Sequence, residues 1–314
     1  MNFIISQRFI GFTKRSISKM NAQLHSVSNG PCSIKTLKGT QFFQYNEVTS
    51  TQDCAKKIVS YTSGLQEIDS KEIPLDDVFA VIASLQNAGR GSRGRNWTGV
   101  TGNLFMTIAM KLNTIPCPLT LIPLRVGTLV SPHIRSQIAP GGPNTYLKWP
   151  NDILIGNEKV SGTLIEIEND WVFIGIGCNV EHAPMMPIDG PDAGRPATCI
   201  ALHKNKTIQI PSITNNEKDP DSNSNSNQSN ALILATAIAS DLRSWASGGK
   251  NSDLAENIVS NFTYEMNNNS YQKLRSGDYM NKNVLPIRVN IDGTLQVRLE
   301  NTDEETTLIA DYLW

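Results

Sequence analysis

The chain has 314 residues, of which 39% are hydrophobic and 18% charged, with a formal net charge of −1. That length and composition allow a large domain plus a small one, each with a buried core. A charge so near zero excludes a general nucleic-acid or anionic-membrane binder, which needs a broad basic surface, and no apolar run reaches the roughly 18 residues of a membrane-spanning helix.

Residues 1–46 hold six Lys or Arg and no acid; the first is Glu47. With its scattered Ser, Phe and Ile, this start suits a mitochondrial transit peptide or a disordered extension over residues 1–40, hence a mitochondrial or cytoplasmic protein. A reporter fused to residues 1–46 should enter mitochondria; a reporter left in the cytosol would reduce the segment to an extension.

Ordered structure is expected from "FFQYNEV" (42–48), a strand. "TSTQDCAKKIVSYTSG" (49–64) predicts a helix with hydroxyls at its start and Gly64 as its stop. The apolar runs "VFAVIASL" (78–85) and "NLFMTIAMKL" (103–112) predict buried strands. Residues 118–138 read as a helix weakened by Pro123 and Pro132. "TYLKWPNDILI", "KVSGTLIEIE" and "DWVFIGIGCNV" predict three strands joined by turns at Asn151-Asp152, Gly156-Asn157 and Asn169-Asp170. Residues 211–230 carry 11 Ser or Asn in 20 and predict a disordered insertion. Helices are expected over 231–246 and 253–266. The tail from Val284 alternates like antiparallel strands around Asp292-Gly293. The domain plan is thus an extension over 1–40, a main domain over 41–265 interrupted by the insertion, and a small β module over 270–314. The five cysteines, Cys32, Cys54, Cys117, Cys178 and Cys199, are widely spaced and contain no C-x-x-C pair, so they read as free thiols.

The chemistry begins at "NAGRGSRGRNW" (87–97), which packs three glycines and three arginines before a tryptophan. Residues 89–94 match G-x-G-x-x-G formally. A dinucleotide fingerprint needs a helix directly after the third glycine, however, and here a strand-like segment follows. No G-x-x-x-x-G-K-[ST], H-E-x-x-H or G-x-S-x-G is present. Glycines between two central strands let a backbone approach a ligand, arginines grip phosphate, and Trp97 offers a stacking face. Lys148, Asn151 and Asp152 cluster in "LKWPNDILI". Lys159 stands in an apolar strand three residues before Gly162, a costly place for an ammonium unless it faces an anion. Asn179 ends "GIGCN" and could read a base edge. Singly, each has a plain alternative as a turn, a surface lysine or a strand-ending cap; together they point to a nucleotide with its phosphates beside a second ligand.

In this order and spacing, "GRGSRGRNW", "KWPND", "KVSGTLIE" and "GIGCNV" resemble the biotin–protein ligase family, over roughly residues 42–182. The resemblance implies an α/β (α+β) fold: a mixed, largely antiparallel sheet with flanking helices in a class II synthetase-like catalytic domain, plus a small C-terminal β module. It implies an ATP- and Mg²⁺-dependent enzyme that converts biotin to biotinyl-5′-AMP and passes it to a lysine of biotin carboxyl carrier domains, with no nucleic-acid or membrane partner. No winged-helix pattern precedes the motifs, so no DNA-binding arm is expected.

Carried over by motif, Ser50, Thr51, Gln52 and Gln86 would hold the ureido and thiophene end of biotin, with Gln52 standing where Asn is usual. Arg90, Gly91 and Ser92 would hold its carboxylate and the α-phosphate, with Lys159 and Gly162 beneath. Lys159, Arg90 and Asp152 would carry the catalysis; Asp152 could orient Lys159, a metal or the incoming lysine. Arg93, Arg95, Trp97, Asn151 and Asn179 would form the nucleotide side, and the metal ligands stay unassigned. The chain departs from the pattern at Ser92, where the family loop has a second arginine. The alternative within the fold, a lipoate ligase or lipoyl/octanoyl transferase, carries an R-R-x-S-G-G-G-type loop and a downstream His that this chain lacks. An RNA-binding reading of the loop would need interleaved aromatics and a basic domain, and neither is present.

Overall fold

The computed structural model describes residues 31–66, 75–187, 195–204, 229–248, 253–302 and 304–309. The main sheet has the order β1-β2-β3-β6-β10-β9-β8-β7. Its strands are β1 (Ser33–Leu37), β2 (Thr40–Val48), β3 (Val78–Gln86), β6 (Leu104–Lys111), β7 (Thr145–Lys148), β8 (Asp152–Ile155), β9 (Glu158–Glu168) and β10 (Trp171–Cys178). Every neighbouring pair is antiparallel except β2 and β3, which run parallel because helix α1 (Thr51–Gln66) lies between them in the chain. A short hairpin, β4 (Gly89–Arg90) with β5 (Asn96–Trp97), stands apart from this sheet.

The central strands are apolar on both faces. On one face Phe79, Val81 and Ala83 of β3, Ala109 of β6, and Trp171 and Phe173 of β10 pack with Cys54, Ala55, Ile58 and Val59 of α1. The alternate residues, such as Ala80, Ile108 and Ile174, join the larger cluster. Helices α2 (Ile122–Arg135), α3 (Asn230–Ser247) and α4 (Ala255–Glu265) contribute to that cluster on the opposite face. A second antiparallel sheet, β11 (Gln272–Lys273), β12 (Asn283–Val289), β13 (Leu295–Leu299) and β14 (Glu305–Leu308), adds Val284, Leu295 and Val297 to the same cluster. Trp149 Nε1 donates to Gly293 O at 2.9 Å, tying the turn between β7 and β8 to the β12–β13 hairpin. The tail therefore shares the main core.

Several boundaries differ from the sequence reading. Ordered strand begins at Ser33, inside the segment expected as an extension. β1 is a half-exposed edge strand of mixed polarity, so no apolar pattern announces it; residues 1–30 lie outside the described residues. Helix α1 runs past Gly64 to Gln66. Pro123 is absorbed at the start of α2, where a missing N–H costs nothing, and Pro132 sits in its last turn. Asp152 opens β8 rather than turning, and the turn is Trp149 to Asn151.

Most of the expected insertion lies outside the described residues, but its last two residues start α3. Ser229 is the N-cap and accepts from Leu232 N at 3.3 Å. Asn230 Nδ2 donates to Glu181 Oε1 at 2.7 Å. Deleting 211–228 should leave thermal unfolding almost unchanged, since composition gives that stretch little to bury. Extending the deletion through 230 should cost about 1 kcal/mol more through the lost cap. Equal melting temperatures for the two deletions would contradict the capping role.

Candidate functional site

The site is opened by the side-chain sequence along β10. Trp171, Phe173, Gly175 and Gly177 share the α1 face of the sheet. The first two are buried under α1; the last two have no side chain, and the sheet there is left bare. Gly162 pairs with Gly177 across the strands and extends the floor. A cavity of about 360 Å³ lies above it, a size suited to a small organic ligand.

Along β10 the walls change chemistry. At Gly175 the floor is crossed by Gln52, whose Nε2 would lie 2.8 Å from a Cβ there. Gln52 Nε2 donates to Leu164 O at 3.1 Å, while its Oε1 is buried with no hydrogen-bond partner. Gln86 Oε1 accepts from Thr51 N at 2.9 Å and from Thr51 Oγ1 at 3.2 Å; Thr107 Oγ1 donates to Thr51 Oγ1 at 2.9 Å. At Gly177 the Trp97 indole lies on the floor so closely that a Cβ on this glycine would run into it. Beyond it Asn179 donates through Nδ2 to Thr198 O at 3.0 Å and keeps Oδ1 buried without a partner. A buried acceptor left unpaired costs about 1–3 kcal/mol. Gln52 and Asn179 both line the pocket, and each keeps one acceptor without a hydrogen-bond partner.

Lys159 reaches the middle of this row through a β-bulge. In the β8–β9 register Ile153 faces Ser161 while Leu154 faces Lys159, so Val160 is the extra residue. Val160 then packs in the larger core and Lys159 lines the pocket. Its Nζ lies 5.2 Å from the Trp97 ring centroid and 2.7 Å from Asp152 Oδ1. The other oxygen of Asp152 takes Lys148 Nζ at 3.1 Å. Asp152 and Lys148 are buried, whereas the Lys159 side chain is 22% exposed. Burial alone would raise the Asp152 pKa; the ammoniums of Lys159 and Lys148 overcome it and hold the carboxyl well below the usual range. Burial pulls Lys148 down to about 8, against the opposing pull of Asp152. Asp152 does not line the pocket. Of the roles left open for it, the geometry provides one: it anchors Lys159 from behind.

The glycine–arginine loop is the β4–β5 hairpin, closed by Gly91 N donating to Arg95 O at 2.7 Å. Gly94 makes the turn at φ +70°, a conformation that favours glycine. Arg95 folds back on Ser92, with Nη2 donating to Oγ at 3.0 Å and Nε to the carbonyl at 3.3 Å. Arg90 lines the pocket, yet its guanidinium is engaged by carboxylates: Asp53 of α1 at 2.8 Å and Glu166 of β9 at 3.3 Å. The side chain of Arg93 lies outside the described residues.

The pocket thus gathers Ser50, Thr51, Gln52, Gln86, Arg90, Gly91, Ser92, Arg95, Trp97, Asn151, Lys159, Gly162 and Asn179 from the sequence-predicted set. Asn151 is fastened by Nδ2 to Thr163 O at 2.6 Å. Sequence reasoning missed Asp53, Glu166, Arg195 and the two bare glycines of β10. The glycines were legible, since alternation along "WVFIGIG" puts them on one face. Asp53, Glu166 and Arg195 belong to no pattern and are found only by contact. Among the described residues, no group of three His, Cys, Asp or Glu side chains is placed to hold a metal ion, and Asp152 is already bracketed by two ammoniums.

Sheet, bare glycine floor, roofing hairpin and anchored cation together define a mixed α/β domain with a small-molecule pocket built on its main sheet. Within that class, the model of the Biotin/lipoate A/B protein ligase family matches residues 57–179, and that stretch is similar to this family. The biotin--[acetyl-CoA-carboxylase] ligase of Mycobacterium tuberculosis is 33% identical over 110 residues, covering 34% of this chain and 41% of that protein. That match, then, spans less than half of the curated relative. The biotin protein ligase of Leishmania major in complex with biotin is 27% identical with a TM-score of 0.52, over 85% of this chain and 98% of that one. The Leishmania major enzyme in complex with biotinyl-5-AMP is 26% identical with a TM-score of 0.52, over 86% and 98% of the two chains. The expected fold class, a mixed and mostly antiparallel sheet with flanking helices and a small C-terminal sheet, is the one observed.

Proposed function

We propose that this protein is an ATP-dependent biotin–protein ligase. The observation that carries the reading is the row along β10: an unpartnered acceptor at Gln52, a carboxylate-anchored ammonium at Lys159, and a second unpartnered acceptor at Asn179. Gln52 Oε1 suits a ureido N–H and Asn179 Oδ1 an exocyclic amine of a base; the likeness to a ligase complexed with biotinyl-5-AMP supports such an occupant. In the first step a carboxylate oxygen of biotin attacks the α-phosphorus of ATP. The bond from that phosphorus to the bridging oxygen breaks, and pyrophosphate leaves with the electron pair. Two anions meet in this step, so Lys159 supplies what a general base could not: positive charge where the pentacoordinate oxygens develop theirs. In the second step the neutral ε-amine of a carrier lysine attacks the acyl carbon, an amide forms, AMP leaves and the amine loses its proton. Mg²⁺ would arrive with the nucleotide as part of the substrate. The hairpin would exclude water from the anhydride. To bind a ligand anion, Arg90 exchanges Asp53 and Glu166 for it.

The accepting partners would be biotin carboxyl carrier domains. Among the described residues no helix is long and apolar enough to cross a membrane. The reading is tested by pyrophosphate release from ATP with and without biotin. Release that depends on biotin is expected; release with lipoate and none with biotin would replace it.

Ser92 gives this reading a measurable consequence. A loop with one cation fewer at this position holds an acyl-phosphate less tightly, and a charge-assisted contact is worth about 1.5–3 kcal/mol. Ser92→Arg should therefore reduce biotin transfer to a bystander such as serum albumin by about 10–100-fold at equal carrier labelling. Arg95 already reaches Ser92 Oγ at 3.0 Å, so Arg95→Ala should leak more than wild type. If wild type and Ser92→Arg leak equally and Arg93→Ala leaks more, Arg93 has filled the gap.

A further inference from the structure

We propose that Arg195 is a second cation for the nucleotide's phosphates, carried to the pocket by the strap that fixes Lys159; the proposal rests on the ligase reading above. Residues 195–198 run beside Lys159 in parallel, with Ala197 as its partner. Lys159 N donates to Pro196 O at 2.8 Å and Thr198 N to Lys159 O at 2.9 Å. The same strap receives Asn179 Nδ2 on Thr198 O at 3.0 Å. Extended backbone alternates its side chains. Arg195 and Ala197 line the pocket, Pro196 is exposed and Thr198 is buried away from it. The two residues that the reading places on phosphate and base are thus backbone neighbours of the segment bearing Arg195.

The guanidinium is oriented rather than trailing: Nη1 donates to Asn157 O at 3.0 Å, on the turn just before β9. Its charge is felt as far as Lys148, where it adds to the factors disfavouring that ammonium. Lys148 and Lys159 share one carboxylate, Asp152, and Arg195 lines the same pocket as Lys159. Asp53 and Glu166 are engaged by Arg90, and Glu166 also by Lys56. A guanidinium grips phosphate oxygens through several N–H groups at once. A triphosphate, or the pyrophosphate leaving it, is the ligand chemistry that matches.

The test uses inorganic pyrophosphate as the probe and the full chain as it exists. Direct binding of pyrophosphate, and its inhibition of biotin-dependent turnover, are compared for wild type, Arg195→Ala and Arg195→Lys. Loss of one multidentate charge-assisted contact predicts at least about tenfold weaker pyrophosphate binding and a similar rise in KM for ATP in Arg195→Ala. KM for biotin should stay unchanged, and Arg195→Lys should recover part of the loss. Equal pyrophosphate affinity in wild type and Arg195→Ala overturns the assignment even if biotin-dependent turnover is intact. A change in KM for biotin alone also overturns it, placing Arg195 on the acid. If wild type binds pyrophosphate in an Arg195-dependent way but shows no turnover with biotin, the phosphate site stands and the ligase reading falls.

Discussion

Lys159→Ala should lower biotin-dependent pyrophosphate release by about 10²–10³-fold while leaving the protein folded. The size follows from removing one preorganised charge from a developing oxyanion, about 3–4 kcal/mol of barrier. Folding should survive because Asp152 keeps Lys148 at 3.1 Å, so no buried charge is abandoned, and because Lys159 is partly exposed. Lys159→Arg tests charge against geometry. The ammonium sits 2.7 Å from Asp152 and beside the Trp97 ring, and a guanidinium there needs more room than Gly162 leaves. Recovery in Lys159→Arg should therefore be slight. Near-normal turnover in Lys159→Ala, measured with unchanged thermal unfolding, would remove this lysine from the chemistry.

Asp152→Asn should act differently, on stability first. Lys148 is buried, with a side chain only 1% exposed, and Asp152 supplies its carboxylate. Breaking a buried ion pair by removing one partner costs about 3–5 kcal/mol, because the remaining charge has lost its compensation. Urea unfolding at pH 7 should show a loss of that order. Burial pulls Lys148 down to about 8 even with Asp152 opposing it, so the variant's amine gives up its proton below that value, and the loss should shrink as the pH rises toward 8. The double variant Asp152→Asn with Lys148→Met should regain much of the stability but not the activity, since Lys159 would still lack its anchor. A loss below about 1 kcal/mol for Asp152→Asn would mean that Lys148 is solvated or otherwise compensated.

Much of this site was legible in the sequence because its constraints are local and repeat in pattern. A lysine in an apolar strand, glycines that punctuate a central strand and a glycine–arginine loop between two buried runs are each expensive without a ligand. Lys159, Gly162, Trp97 and Asn179 could therefore be named from residue type and neighbours alone. What escaped was pairing across distance. That Arg90 is held by Asp53 and Glu166, 37 and 76 positions away, is a fact of the folded surface. The bulge at Val160 that aims Lys159 into the pocket depends on the β8–β9 register, and alternation within one strand does not reveal a register shift. β1 was missed because an edge strand with one exposed side has no need of apolar residues. Arg195 was missed because its partner segment is fastened to Lys159 through backbone groups, which carry no residue signature.

The central claim is that this pocket activates biotin for transfer to protein. The most direct measurement incubates the full chain with ATP and an apo biotin carboxyl carrier domain, supplying labelled biotin in one reaction and labelled lipoate in another. The account predicts biotin on one carrier lysine, dependent on ATP and lost in Lys159→Ala, with no lipoate incorporated. Lipoate incorporation without biotin incorporation, or biotin labelling unaffected by Lys159→Ala, would contradict it.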